Sequence, residues 1–143
     1  MKVNVKRSGT ETDFIESREA DELPLIYSCS GCSDIAQLAN HIAVNFDRLN
    51  IAEMSCISGV GGGVKSLVKK ARSGRKIIAI DGCPLQCSKH CLANAGVSPD
   101  HHYILTDFGL KKTYHKDFDE KDAEFITELI KSDLPTEEEP AVI

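Results

Sequence analysis

The sequence predicts an α/β fold, a small three-layer sandwich built on a mainly parallel sheet of four to five strands. Three observations predict it. Short β-branched runs alternate with amphipathic stretches of roughly 10 to 17 residues, the pattern of successive βαβ units. The order strand, cysteine, loop, helix recurs three times along the chain. The runs Leu25-Ile26-Tyr27 and Ile77-Ile78-Ala79-Ile80 are continuously apolar rather than alternating, as strands covered on both faces are.

Taken in order, residues 1–22 are polar and form a lead segment, with a short strand conceivable at Val3–Val5. A single domain is expected over residues 23–131, followed by an acidic, Pro-broken tail over 132–143 that reads as disordered. The first strand is Leu23–Ser28, with Pro24 near its start, where a missing N–H does least harm. Ser33 is placed to cap the next helix, with Asp34 in its first turn. Ile35, Leu38, Ala39, Ile42, Ala43, Phe46 and Leu49 give that helix its apolar stripe. Ile51–Ile57 reads as a second strand and Ser58–Gly63 as a glycine-rich loop. A helix with Val64, Leu67, Val68 and Ala71 on its apolar face then ends at Ser73-Gly74.

Ile77–Ile80 is the third strand, leading through Asp81-Gly82 into Cys83-Pro84. Helix rules place Cys83 at the N-cap and Pro84 at the first helical position, with Gly96 just past the end. Cys83, Cys87 and Cys91 would then share one helix face, drifting about 40° per step. A fourth strand is expected near His102–Thr106. The final helix spans Asp117–Ser132, with Phe118, Phe125, Ile126, Leu129 and Ile130 turned inward.

Composition narrows the function classes. At 143 residues the chain is long enough to bury a core without disulfide staples. No apolar run approaches a membrane span and no secretory leader is recognisable, so a cytoplasmic protein with no membrane partner is expected. In a reducing compartment six cysteines point to metal binding or thiol chemistry before disulfides. The net charge of −5 divides into −8 from residue 117 onward and +3 before it. With aromatics at 6%, nucleic acid is not an expected partner, and the sequence identifies no protein partner.

The candidate site is the thiol set. Parallel strands put their carboxyl ends on one edge, where α/β sheets bind ligands. Cys29 and Cys32 follow the first strand, Cys56 the second, and Cys83 and Cys87 the third. Cys29-x-x-Cys32 has a spacing common to metal ligands and to redox dithiols. Cys83 and Cys87, at i and i+4, suit chelation from one helix face. All five are candidate metal ligands, with zinc the expected ion and an iron–sulfur cluster the alternative. Cys91, two turns into the helix, is as consistent with core packing.

Tyr27-Ser28-Cys29-Ser30-Gly31-Cys32-Ser33-Asp34, Met54-Ser55-Cys56 and Ile80-Asp81-Gly82-Cys83-Pro84-Leu85-Gln86-Cys87 together resemble the DGC-domain family. That family takes its name from the Asp-Gly-Cys motif and is described as candidate zinc-binding proteins with four chelating cysteines. The resemblance spans roughly residues 25–112. It implies Cys29, Cys56, Cys83 and Cys87 as ligands, with Cys32 and Cys91 outside that set. The expected role is structural zinc or redox and metal sensing. A thiol-based redox or sulfur-transfer enzyme is the alternative, so enzymatic activity is left open.

Other features carry less. Gly59-Val60-Gly61-Gly62-Gly63-Val64-Lys65-Ser66 imitates a phosphate-binding loop but has Val64 where a glycine should precede the lysine. Its backbone could still cradle an anion, or it is a plain connection. Lys65, Lys69, Arg72 and Lys76 fall near one stripe, which a solvated helix face explains. None of His41, His90, His101, His102 and His115 is expected as a ligand. Asp81, beside Cys83, would orient a ligand or shape the turn.

Overall fold

Four strands pair in the order β2-β1-β3-β4, and every pairing is parallel. They belong to a computed structural model that describes residues 23–135. The expected lead over 1–22 and most of the expected tail lie outside the described residues. Strands β1 (Leu25–Ser28), β2 (Glu53–Met54), β3 (Ile77–Asp81) and β4 (His101–Ile104) alternate with helices. Helix α1 (Asp34–Arg48) joins β1 to β2, while α2 (Ile57–Gly61) and α3 (Lys65–Ala71) join β2 to β3. Helix α4 (Cys87–Asn94) joins β3 to β4, and α5 (Glu120–Asp133) closes the described chain.

The period-two geometry of β1 and β3 splits the core into two layers. Ile26, Ile78 and Ile80 face α1 and α5, packing with Leu38, Ile42, Phe46, Ile126 and Ile130. Leu25, Tyr27, Ile77 and Ala79 face the other way, against Val60, Ala71 and Leu92 of α2, α3 and α4. Both strands are buried throughout, so the sandwich expected from their apolar runs is the one observed. Each fully buried Leu, Ile or Phe is worth about 1.5–3 kcal/mol in apolar transfer, which makes these two central strands the anchor of the fold.

Helix α1 starts as expected, with the Ser33 hydroxyl accepting from Ala36 N at 3.2 Å. Its stripe is buried from Ile35 to Phe46, but Leu49 is the C-cap and stands exposed. Three further expectations are corrected. The second strand is only two residues long, because β2 lies at the sheet edge and the chain turns into a helix at Ile57. The glycine-rich stretch is helical over Ile57–Gly61, with Gly62 N donating to Ser58 O at 2.8 Å. Close packing overrides poor propensity here, since a Cβ on Gly59 would lie 2.0 Å from Leu67 Cδ1.

The third correction concerns the thiols. Helix α4 starts at Cys87, not Cys83; Gln86 at φ 55° is its left-handed N-cap. Buried Asp81 accepts from Ser88 N at 2.8 Å and Lys89 N at 3.3 Å, so the carboxylate at the end of β3 sets where α4 begins. Cys83-Pro84-Leu85 is therefore a turn, and Cys83 is not part of a three-thiol helix face. Elsewhere, β4 stops at Ile104 and a 3₁₀ turn follows over Leu105–Phe108. Val64 is exposed as the N-cap of α3. On α5, Ala123, Ile126 and Ile130 are buried while Phe125 and Leu129 face out. Phe118 precedes that helix and packs half-buried on the core.

Candidate thiol site

The loops after β1 and β3, which are neighbours in the sheet, meet at the carboxyl edge. Helix α1 leaves β1 toward one face and α4 leaves β3 toward the other. The meeting point is thus a topological switch point, where sheets of this kind hold their ligands. Cys29 continues the ladder, donating its N–H to Ile80 O at 3.0 Å, and its Sγ accepts from Gly82 N at 3.2 Å. Gly82 is obligatory for this contact. A Cβ there would lie 2.8 Å from Ile35 O and 2.9 Å from Ile35 C, inside the first turn of α1.

Burial pushes the Cys29 thiol up to about 11, and the negative charges of Asp81, Cys87 and Cys83 add to that effect against the Gly82 hydrogen bond. Cys29 is therefore a neutral thiol at physiological pH, 8% exposed. Cys83 is half-buried in the turn before α4, with Lys112 Nζ 3.5 Å from its Sγ. Lys112 arrives through Asp34, which accepts from Thr113 N at 2.7 Å and donates its own N–H to Thr113 O at 2.9 Å. That ammonium also sits 5.3 Å from the centre of the Tyr114 ring. Cys87 opens α4 and is exposed. Cys91 is half-buried against α2, where a Cβ on Gly61 would lie 2.8 Å from its Sγ. Burial raises its pKa first, then the charges of Cys87 and Asp81.

Cys56 has a different setting. It is the exposed N-cap of α2, with Ser58 Oγ 3.2 Å from its Sγ. The Ser58 hydroxyl, and after it the Gly59 amide, hold its pKa below the ordinary thiol value. Cys32 is exposed immediately before the α1 cap.

The five sequence-predicted residues differ in setting. Cys83 and Cys87 lie close enough to Cys29, at the β1–β3 edge, for their charges to raise its pKa. Cys32, Cys56 and Cys87 are exposed thiols, Cys83 is half-buried and Cys29 is buried. Two residues had no place in the sequence-based site. Lys112 is held there by the hydrogen bond that its neighbour Thr113 donates to Asp34 Oδ1 across 79 positions, for which no local signal exists. His102 was not expected at the site, yet its Nε2 lies 2.8 Å from Asp81 Oδ2. A side chain pointing along the neighbouring strand is not legible from position alone.

The donor chemistry suits a soft ion, since thiolates are the usual partners of zinc and of iron–sulfur clusters. The placement is less suited. Among the described residues no three His, Cys, Asp or Glu side chains are grouped so as to hold an ion. Asp81 is already committed to Ser88, Lys89 and His102.

No helix of the described residues is long and apolar enough to cross a membrane. No solved structure matches the chain. The chain is 59% identical over 111 residues to the protein named anaerobic and virulence modulator AnvM of Pseudomonas aeruginosa, across 78% of this chain and 85% of that one. The family model for the DGC domain matches residues 25–130, which hold β1 to β4 and the whole switch-point edge. With the Asp81-Gly82-Cys83 motif at the centre of that match, the chain belongs to the DGC-domain family.

Proposed function

We propose that this protein is a thiol-based modulator whose exposed strand-edge cysteines respond to the redox state around it. The observation that carries the reading is the setting of Cys56, an exposed thiol held by Ser58 Oγ at 3.2 Å on the carboxyl edge of the sheet. A thiolate, not a thiol, is the nucleophile toward peroxides. Its sulfur attacks a peroxide oxygen, the O–O bond breaks, and sulfenic acid forms as hydroxide leaves and takes a proton from solvent to become water. The buried neutral Cys29 is the unreactive counterpart, an internal reference rather than a sensor. A relative named an anaerobic and virulence modulator is consistent with such a response. The test is titration of the reduced protein with hydrogen peroxide while counting free thiols. The first equivalent should be consumed by wild type and spared by Cys56→Ser; equal consumption by both would end the proposal.

A second reading is the capture of zinc, with an iron–sulfur cluster as its variant. It is favoured by the charges of Cys83 and Cys87 reaching Cys29 at one edge, and by the family resemblance. Cys83 and Cys87, which flank the turn before α4, would supply the first two thiolates. A bound ion would fix the Cys83–Gln86 turn and keep those thiols ionised. Elemental analysis of anaerobically purified protein decides it, with Cys83→Ser as control. Stoichiometric zinc lost in the variant supports it, and metal-free protein with titratable thiols refutes it.

A further inference from the structure

On the face of the sheet covered by α2, α3 and α4 lies a cavity of about 780 Å³, a volume within the range of about 300–1,000 Å³ typical of small-molecule sites. Lys65 and Lys69 of α3 and Arg72, its C-cap, line it, and no acidic residue does. The ion pairs of this face go elsewhere. Glu53 is shared by Lys70 at 3.1 Å and Arg75 at 2.6 Å, and Lys76 lies 3.9 Å from Asp100. Lys65, Lys69 and Arg72 have no ion-pair partner among the described residues. The stripe that the sequence presents as a solvated face therefore borders a concavity. The rest of the wall is of another character, with the half-buried Val68 over the buried Val60 and Ala95 as its apolar part and Ser73 and Asn94 as polar groups.

We propose that this cavity binds a small organic phosphate of nucleotide size, its phosphates against Lys65, Lys69 and Arg72 and its organic body against the Val68 side of the wall. Three unpaired cations facing one space favour a compact multivalent anion, because each added negative charge meets all three at short range. Charge-assisted bonds to phosphate oxygens are the strong kind, and Arg72 offers a planar fork for two of them. A long polyanion fits less well. The chain carries −5 overall, and these cations line a hollow rather than an extended ridge. Gly63, at φ +74° with open space beside its Cα, leaves the mouth next to Lys65 clear of side chains. The site uses none of the thiols.

The test is calorimetric titration of the full chain, kept reduced throughout, with ADP, pyrophosphate and adenosine. ADP should bind most tightly, pyrophosphate more weakly, and adenosine least. The Lys69→Gln/Arg72→Gln variant should weaken ADP by about tenfold or more, since each cation contributes a charged hydrogen bond. These positions are exposed, so circular dichroism of the variant should match wild type. Lys76→Gln, a cation outside the cavity, should leave affinity unchanged. The proposal is overturned if ADP does not bind at millimolar concentration, or if the double variant binds it as well as wild type does. It is also overturned if Lys76→Gln costs as much, or if pyrophosphate binds as tightly as ADP.

Discussion

At Gly82 the chain has no room for a side chain. A methyl group would press on the Ile35 carbonyl carbon and oxygen, which are backbone atoms and cannot rotate aside. Gly82→Ala should therefore destabilise the protein by about 1–3 kcal/mol, the usual cost of overpacking, as read by urea denaturation. An unchanged midpoint would mean that β3 and α1 are less tightly apposed than described. The motif glycine was visible in the sequence, but its reason was not, because the clash is with a residue 47 positions away. Cys29 offers a second check. Its folded pKa of about 11 stands above a reference value of 9.0. Below pH 9 the thiol is neutral in both states and contributes its full stability. Between about 9 and 11 the unfolded chain ionises first, so stability falls as pH rises. The loss should be on the order of 2–3 kcal/mol at 1.36 kcal/mol per unit. Tyr27 and Tyr103, raised chiefly by burial, titrate in the same direction, so the measurement is the difference between wild type and Cys29→Ala. The variant should lose less stability between pH 8.5 and 11. Parallel curves would contradict a buried neutral thiol.

Individual elements show which local rules prevailed. Ser33 caps α1 as the sequence implies, because its partner is three residues away and nothing competes. At α4 the local rules favoured Cys83-Pro84 and lost to a long-range acceptor. Asp81 is buried, and its two oxygens take two first-turn amides and the His102 ring. Asp81→Ala should leave those amides unpaired and cost about 1–3 kcal/mol, with fraying of α4 seen as faster hydrogen exchange at Ser88 and Lys89. Asp81→Asn, which keeps one acceptor oxygen, should recover part of that loss. Protection unchanged in both would show that α4 does not depend on the carboxylate. Helix α2 is the reverse case. Its glycines read as a loop, and only the contacts of Gly59 with Leu67 and Gly61 with Cys91 explain why they are helical.

Across the whole molecule, the recurrence of strand, cysteine and helix was enough to infer a parallel sheet with thiols along one edge. Strand order was not legible, and it decides how the thiols divide. With β1 between β2 and β3, the ends that carry Cys56 and Cys83 lie two strand spacings apart, about 10 Å. Cys29 and Cys83 follow adjacent strands at the switch point, and Cys56 is an exposed thiol past the end of the edge strand β2. The acidic charge past residue 117 and the cations of α3 were equally visible in the sequence, yet only the fold turns those cations toward a common space.

The central claim is that Cys56 is the responsive thiol, and cysteine-resolved alkylation tests it most directly. Reduced, metal-free protein is pulsed with iodoacetamide across a pH series, and each of the six cysteines is quantified by mass spectrometry. Cys56 should react fastest near neutral pH, with a midpoint below the ordinary value of about 8.5, and Cys29 slowest. Ser58→Ala should move the Cys56 midpoint upward, because the largest cause of its lowered pKa is gone. Cys56 reacting no faster than Cys32, which is also exposed, with a midpoint indifferent to Ser58, would contradict the account.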